Sequence, residues 1–398
     1  MKAAPDGLLI WVTHLYGIGH LRRAAAIARA CRAEGLAVTL VSGGRPVPSL
    51  APALARAGVA LVQLPSLHSP DASFARLGAA AGAAAGPDLL AARREQLLAA
   101  FETARPAVVM TEMYPFGRRS LRAEVEALVA AVQAAQPRPR LLASVRDLLV
   151  AKPVEKLRWM VEAAAPYDAL LVHGDPAVLR FEESFALAGE LGDRLRYTGY
   201  VATRAEATEA AGAEAGRDEV LVSAGGGAFG LALLETALAA RPLCPNLGTL
   251  PWRLLLGPNL PEEGRRRLLA ASDEGVLVEP ARSDFPALLG RCRLAIGQAG
   301  VNTLLEGLAA GARLLAVPYA EAGETEQGER ARRFAERGWL SLLDEAALSP
   351  QNLAEAAEAA ALQPRPTPSI NIEGARHSAE IVAAMAAIVR RAADREGE

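Results

Sequence analysis

Short apolar runs alternate with longer helical patterns from one end of this chain to the other, a rhythm that few folds accommodate. GLLIWVTH, AVTLVSG, ALVQLP, AVVMTEM, RLLASVRD and ALLVHGD are the strand candidates of the first half, each followed by a helical stretch. Such runs argue for βαβ units and a parallel sheet covered on both faces. The rhythm then pauses. VATRAEATEAAGAEAGRD, residues 201–218, contains no apolar run and reads as a linker; afterwards EVLVSAGG, RLLLGPN, VLVEPA, LAIGQAG and LLAVPYA form a second series. The pattern predicts an α/β protein with one doubly wound domain over residues 1–200 and another over 219–372. An amphipathic helix, SAEIVAAMAAIVRRAADR, falls in the closing segment 373–398. With 398 residues, 51% of them hydrophobic, the chain has material for two cores. LGAAAGAAAGPD reads as a flexible loop without chemistry.

Charge excludes little but points away from nucleic acid: 43 basic and 45 acidic residues leave a formal charge of -2. Cys31, Cys244 and Cys292 are far apart and in no C-x-x-C spacing, so neither a disulfide framework nor a zinc site is expected. The cytosol is the expected compartment. The N-terminal run carries histidines and glycines and reads as a strand rather than a signal peptide, and no apolar run reaches the roughly 18 to 20 residues of a spanning helix.

In open α/β sheets ligands sit beyond the carboxyl ends of the strands, and the informative residues follow strands here. Gly17, Gly19 and His20, in HLYGIGHLRR, open the first helix, where free backbone N–H groups favour an anion or developing negative charge. An imidazole there suits a general base, since its ordinary pKa lies near working pH; a tight turn with an exposed histidine fits the same residues. His14 reads as a structural neighbour. Three consecutive glycines, Gly225 to Gly227 in LVSAGGGAFG, let the main chain approach a phosphate, although this is neither a Walker loop nor G-x-G-x-x-G.

Further on, Gln298 to Asn302 form another strand-to-helix turn with Glu306 about one helical turn inside, and Glu326 and Gln327 open a helix after a polar loop. In the first half Glu112, at the end of AVVMTEM, can orient His20 or stay solvated. Arg118 and Arg119 in PFGRR suit an anionic acceptor. Arg146-Asp147 reads as an ion pair at a strand end. In VHGDP, His173 and Asp175 precede an expected helix near Pro176, with Asp175 as its N-cap.

The G-x-x-G-V-N-T-x-x-E helix and the P-Y…E-T-E-Q-G-E-R-A loop resemble the C-terminal domain of MurG-like, two-domain glycosyltransferases. GIGHLRR is similar to that family's N-terminal glycine-histidine loop and SAGGGAFG to its diphosphate loop, while TEMYPFGRR, SVRDLL and VHGDP look like marks of a bacterial subgroup. The resemblance implies the GT-B architecture, two Rossmann-like domains facing a cleft, with donor in the second and acceptor in the first. It implies that the closing helix packs back toward the first domain. Carried over by position, it implies Glu306 on the ribose of a nucleotide sugar, Glu326 and Gln327 on sugar hydroxyls, and Gly225, Gly226 and Gly227 on the diphosphate. Val278 to Pro280 would offer main-chain atoms to the base. Gly17, Gly19, Gln298, Gly300, Asn302 and Thr303 complete the implied donor site; Arg118, Arg119 and Arg146 fall on the acceptor side. Paired glutamines in MurG stand where this chain has Glu326-Gln327, so the sugar need not be N-acetylglucosamine.

The expected activity is an inverting transfer, without cofactor or metal ion, from a nucleotide diphosphate sugar, UDP-sugar first, to a hydroxyl. His20 acts as base and Glu112 orients it. The acceptor is a small molecule, a glycan or a lipid-linked compound, the last implying peripheral contact with the inner membrane face. A sugar-nucleotide hydrolase using His20 on water, a two-domain epimerase and a nucleotide-sugar-binding regulator without turnover stay open.

Overall fold

The computed structural model describes residues 6–15, 17–69, 77–79, 84–202, 215–225, 230–257, 260–320 and 326–397. It divides into two units, residues 1–201 with 373–398, and residues 202–372.

The first unit is built on a seven-stranded parallel sheet. Its strands are β1 (Leu8–Val12), β2 (Val38–Ser42), β3 (Ala60–Gln63), β4 (Val108–Glu112), β5 (Arg140–Arg146), β6 (Ala169–His173) and β7 (Leu195–Tyr197), in the order β3-β2-β1-β4-β5-β6-β7. Helices α1 (Gly19–Ala33), α2 (Leu50–Arg56), α3 (Pro87–Ala104), α4 (Arg122–Ala134) and α5 (Val154–Ala163) run between them. β1 shows why its apolar run does not alternate with polar residues: Leu9 and Trp11 enter one core, while Leu8, Ile10 and Val12 enter the other.

The second unit carries β8 (Val220–Ser223), β9 (Trp252–Leu256), β10 (Val276–Pro280), β11 (Leu294–Gly297), β12 (Leu314–Ala316) and β13 (Ser341–Leu342), all parallel in the order β10-β9-β8-β11-β12-β13. Its helices are α6 (Leu231–Ala240), α7 (Glu262–Ala270), α8 (Phe285–Arg291), α9 (Val301–Ala309), α10 (Glu326–Glu336) and α11 (Pro350–Leu362). The closing helix α12 (Gly374–Gly397) belongs to the first unit. Ala379, Val382, Ala386 and Val389 share a core there with Ala24, Ala25 and Ala28 of α1, small side chains that let two helices approach closely.

Each of the eleven quoted runs falls on a strand, β9 starting one residue before its run, at Trp252. β7 and β13, three and two residues at sheet edges, carry no apolar run. The helix expected near Pro176 is absent. Asp175 instead accepts from the Ala177 amide at 2.9 Å in a turn, and a 3₁₀ segment follows at Phe181–Glu183, because an aspartate can close a local turn as readily as it caps a helix. Most of the expected linker, residues 203–214, and residues 80–83 of the alanine-glycine loop lie outside the described residues.

Both strand orders reverse direction beside their first strand, between β1 and β4 and between β8 and β11. Crossovers leave such a point in opposite directions and open a crevice at the carboxyl ends. His20 and Glu112 lie at the first of these points; Ser223 to Gly225 and Gly297 to Thr303 lie at the second.

Candidate functional site

His20 is the second residue of α1, and Glu112 ends β4; the pairing of β1 with β4 brings them together across 92 residues. His20 Nδ1 lies 2.8 Å from Glu112 Oε1. Arg23, one turn further along α1, binds the same carboxylate through its NH2 group. Burial would raise the pKa of Glu112, but the Arg23 charge and the His20 bond outweigh it and hold the carboxyl below its usual range. An ionised carboxylate only accepts, so His20 Nδ1 carries the hydrogen and Nε2 keeps its lone pair. The imidazole pKa is lowered from 6.5 to about 3, first by burial and then by the Arg118 charge, with Glu112 pulling the other way. This departs from the ordinary value near 6.5 expected of a base in this loop. The ring is neutral throughout the physiological range, and the cations around it oppose its protonation.

Arg118 and Arg146 add to this positive surround. Arg118 adopts left-handed backbone angles (φ 60°) and donates from Nε to the Thr13 carbonyl at 2.7 Å. Its pKa is lowered to about 10, chiefly by burial, against the pull of Glu112 and with help from Arg146 and Arg23. Arg119 lies elsewhere: exposed, it places its guanidinium 5.1 Å from the Trp159 ring centroid, with Arg122 at 5.6 Å from the same ring. Its guanidinium thus stacks over an aromatic ring. His14 is buried at the end of β1, and burial lowers its pKa to about 4. Asp147 is fully buried and accepts from the Tyr200 hydroxyl at 2.8 Å.

In the second unit the strand-to-helix turns offer mainly main chain. Gly225 has φ +69°, and its amide donates to Ser223 Oγ at 3.3 Å. Gly297 pairs with Ser223, and a Cβ there would lie 2.7 Å from the Ser223 carbonyl oxygen. The Gln298 amide donates to that oxygen at 3.3 Å. Gly300 caps α9, Asn302 and Thr303 sit in its first turn, and Thr303 Oγ1 lies near both Gly225 and Gly300. A free helix N-terminus beside a glycine turn suits a phosphate. Gly226 and Gly227 lie outside the described residues. Glu306 is buried six residues into α9.

At the start of α10, Glu326 is buried and accepts from Arg330 NH2 at 2.9 Å, an i,i+4 pair; Arg330 itself is fully buried. Gln327 Oε1 accepts from the Tyr319 amide at 3.3 Å. The amide of Val278 donates to Ser272 Oγ at 3.3 Å, so one of the main-chain groups expected to meet a base is engaged within the protein. Gly17, half-buried, has open space where a Cβ would stand, and Gly19 is the first residue of α1. Arg23 and Arg330 are among the site residues that sequence alone did not single out. Their i,i+3 and i,i+4 spacing from His20 and Glu326 was the available signal.

Residues 226–383, most of the second unit and the start of α12, match the model of the glycosyltransferase family 28 C-terminal domain. A UDP-N-acetylglucosamine--N-acetylmuramyl-(pentapeptide) pyrophosphoryl-undecaprenol N-acetylglucosamine transferase of Rhodospirillum centenum is 30% identical over 124 residues, 29% of this chain and 33% of that protein. The chain therefore spans about a third of this curated relative. Among solved structures, MurG of Acinetobacter baumannii superposes with a TM-score of 0.57 at 14% identity, over 95% of this chain and 99% of that one. The calicheamicin glycosyltransferase CalG4 gives 0.57 at 16%, over 100% and 98%. A putative UDP-N-acetylglucosamine 2-epimerase of Listeria monocytogenes gives 0.60 at 12%, over 96% of both chains. The fold is the two-unit α/β fold of GT-B glycosyltransferases, and it extends to an epimerase. Among the described residues no helix is long and apolar enough to cross a membrane.

Proposed function

We propose that this chain is an inverting glycosyltransferase that moves a sugar from a nucleotide diphosphate sugar to a hydroxyl acceptor without a metal ion. The observation that carries the reading is the His20–Glu112 pair at the strand switch point, with Nδ1 committed to the carboxylate and Nε2 left for a substrate. In the step, the acceptor oxygen bonds to the anomeric carbon as the bond to the diphosphate oxygen breaks. The acceptor proton passes to His20 Nε2, and the nucleoside diphosphate leaves with the electron pair. Glu112 stabilises the imidazolium as it forms, a contribution present only in the transition state. The departing charge falls to backbone amides around Gly225 and the N-terminus of α9.

A UDP-sugar is the first donor to test, on the name of the Rhodospirillum centenum relative, with Glu306 on the ribose. Glu326 and Gln327 then face the sugar, Glu326 with its charge balanced by Arg330. Arg118 and Arg146 favour an acceptor carrying phosphate or carboxylate, lipid-linked ones included. An anion beside Arg118 also offsets one of the charges that hold the His20 pKa down.

The test is calorimetry of the purified chain with UDP, GDP, TDP and their sugar conjugates, followed by product analysis with and without acceptor alcohols. A UDP-sugar should bind at micromolar affinity, and Glu306→Ala should weaken it about tenfold or more, the worth of a charged hydrogen bond. His20→Ala should leave binding intact and lower kcat about 10³-fold. Absence of binding across the panel overturns the reading. Free sugar released at equal rate without acceptor makes the chain a hydrolase.

A further inference from the structure

The Glu112 carboxylate has a second oxygen, and the pair with His20 does not account for what holds it. Oε2 is bonded by the Ser144 hydroxyl at 2.5 Å; Ser144 Oγ lies 2.8 Å from His173 Nε2, and His173 Nδ1 lies 2.8 Å from Thr198 Oγ1. All these side chains are buried. Strand register makes the line possible: Glu112 stands opposite Ser144 between β4 and β5, and His173 ends the neighbouring β6.

Counting hydrogens gives the line a direction. The ionised carboxylate can only accept, so Ser144 donates its one hydrogen to Oε2. Its oxygen then offers only lone pairs to His173, so Nε2 carries a hydrogen and donates. A neutral imidazole has only one, so Nδ1 accepts and Thr198 Oγ1 donates to it. Burial and the Arg23 charge keep His173 neutral, lowering its pKa to about 3 against the pull of Glu112 and Asp147. The competing arrangement turns the Thr198 hydroxyl to the Gly199 carbonyl, 3.0 Å away. His173 then becomes the Nδ1–H form, Ser144 donates to it, and Glu112 Oε2 keeps only the long Arg23 Nε bond of 3.4 Å.

We propose that Ser144 and His173 are positioning residues that hold Glu112 Oε1 against His20 and so fix the tautomer whose Nε2 serves as the base. This rests on the assignment of His20 as the base. Arg23 supplies the need for such a hold. Its NH2 group already bonds Oε1 and its Nε makes a long bond of 3.4 Å to Oε2, so a carboxylate released by Ser144 can turn further onto the guanidinium and shorten that second bond. His20 then loses its partner. The line is not a route for protons, because every bond in it points toward Glu112 and all would have to reverse.

The experiment is long-range nitrogen–proton NMR on the full chain labelled with ¹⁵N-histidine. There are five histidines, and His20→Gln identifies the His20 signal. In the wild type, His20 should appear as the Nδ1–H form and His173 as the Nε2–H form, with no substrate present. Ser144→Ala and His173→Phe should shift His20 to mixed tautomers. His173→Gln, whose amide both donates and accepts, should restore the wild-type His20 pattern. In turnover, Ser144→Ala should lower kcat about tenfold with KM for the donor unchanged. In a Glu112→Gln background the same change should add no further loss, whereas a purely structural role gives the same loss in both backgrounds.

A wild-type His173 in the Nδ1–H form overturns the proposal without any variant, as does an unchanged His20 tautomer in folded Ser144→Ala. The predicted tautomers and shifts together with no turnover of any sugar nucleotide would support the positioning role and sink the transferase reading.

Discussion

In the first unit the candidate site is assembled from side chains that meet only because strands pair: His20 and Glu112 are 92 residues apart, and Ser144 and His173 stand on two further strands. In the second unit the phosphate-binding part of the candidate site is backbone at two strand-to-helix turns, Ser223–Gly225 and Gly297–Thr303, each contiguous in sequence, with Glu306, Glu326 and Gln327 on the helices that follow. The first arrangement holds an ionised carboxylate and neutral imidazoles among arginines, and so depends on protonation. The second depends on how closely main chain can approach. A site made of local turns leaves a readable mark in sequence, and the family match, residues 226–383, falls mostly on the second unit. A site made of register does not.

The largest effect that separates the two is acid sensitivity. All five histidines lie in the first unit and none in the second. The pKa values of His14, His20 and His173 are lowered from 6.5 to about 4, 3 and 3, chiefly by burial. Below pH 6.5 the unfolded chain therefore binds more protons than the folded one, and stability present above 6.5 is lost as pH falls toward 3–4. Each such group contributes up to about 1.4 kcal/mol per pH unit, so the three together remove several kcal/mol by pH 5, before most carboxylates titrate. Hydrogen exchange followed from pH 7 to 5 should show β1, β4, β5 and β6 losing protection while β8, β9 and β11 keep theirs. Equal loss in both units would break the contrast.

Next in size is Glu112→Gln. The amide keeps the shape but removes the charge that stabilises imidazolium in the proposed step, so kcat should fall about 10²-fold, while affinity for the proposed donor, a UDP-sugar held by the second unit, should stay within a factor of two. Calorimetry beside steady-state kinetics reads both numbers. A loss of binding as large as the loss of kcat would mean that the two sites are not separable in this way.

The strands were legible because an apolar run buried on both faces has no other home; β7 and β13 were not, since two or three edge residues carry no such run. His20, Glu112, Glu306 and Glu326 were legible as charged or titratable residues placed after strands or inside the helices that follow. Their partners were not. Ser144 is one small polar residue inside the apolar strand RLLASVR, and nothing marks it until β4 and β5 are aligned. His173 is visible as a residue, but its sequence neighbours point to the turn that follows it rather than across the sheet. The lowered His20 pKa was also hidden, because it arises first from burial that only the fold creates and then from Arg118, 98 positions away along the chain.

The smallest effect compares two glycines, one from each unit's loop. Gly225 has a left-handed φ of +69°, a conformation that disfavours any Cβ, so Gly225→Ala should lower stability by about 1–2 kcal/mol whether or not a ligand binds nearby. Gly17 does not have left-handed angles, and a Cβ there meets nothing within 4 Å. The fold itself gives no reason for glycine at that position, and Gly17→Ala should leave stability unchanged or raise it by about 0.4–1 kcal/mol through the unfolded chain. If the space before α1 is where substrate comes within reach of His20, the added methyl should still lower kcat/KM. Thermal melts of both variants set beside their turnover separate backbone geometry from ligand access. A Gly17→Ala protein that is stable and fully active would mean that the first loop, unlike the second, has no close approach to make.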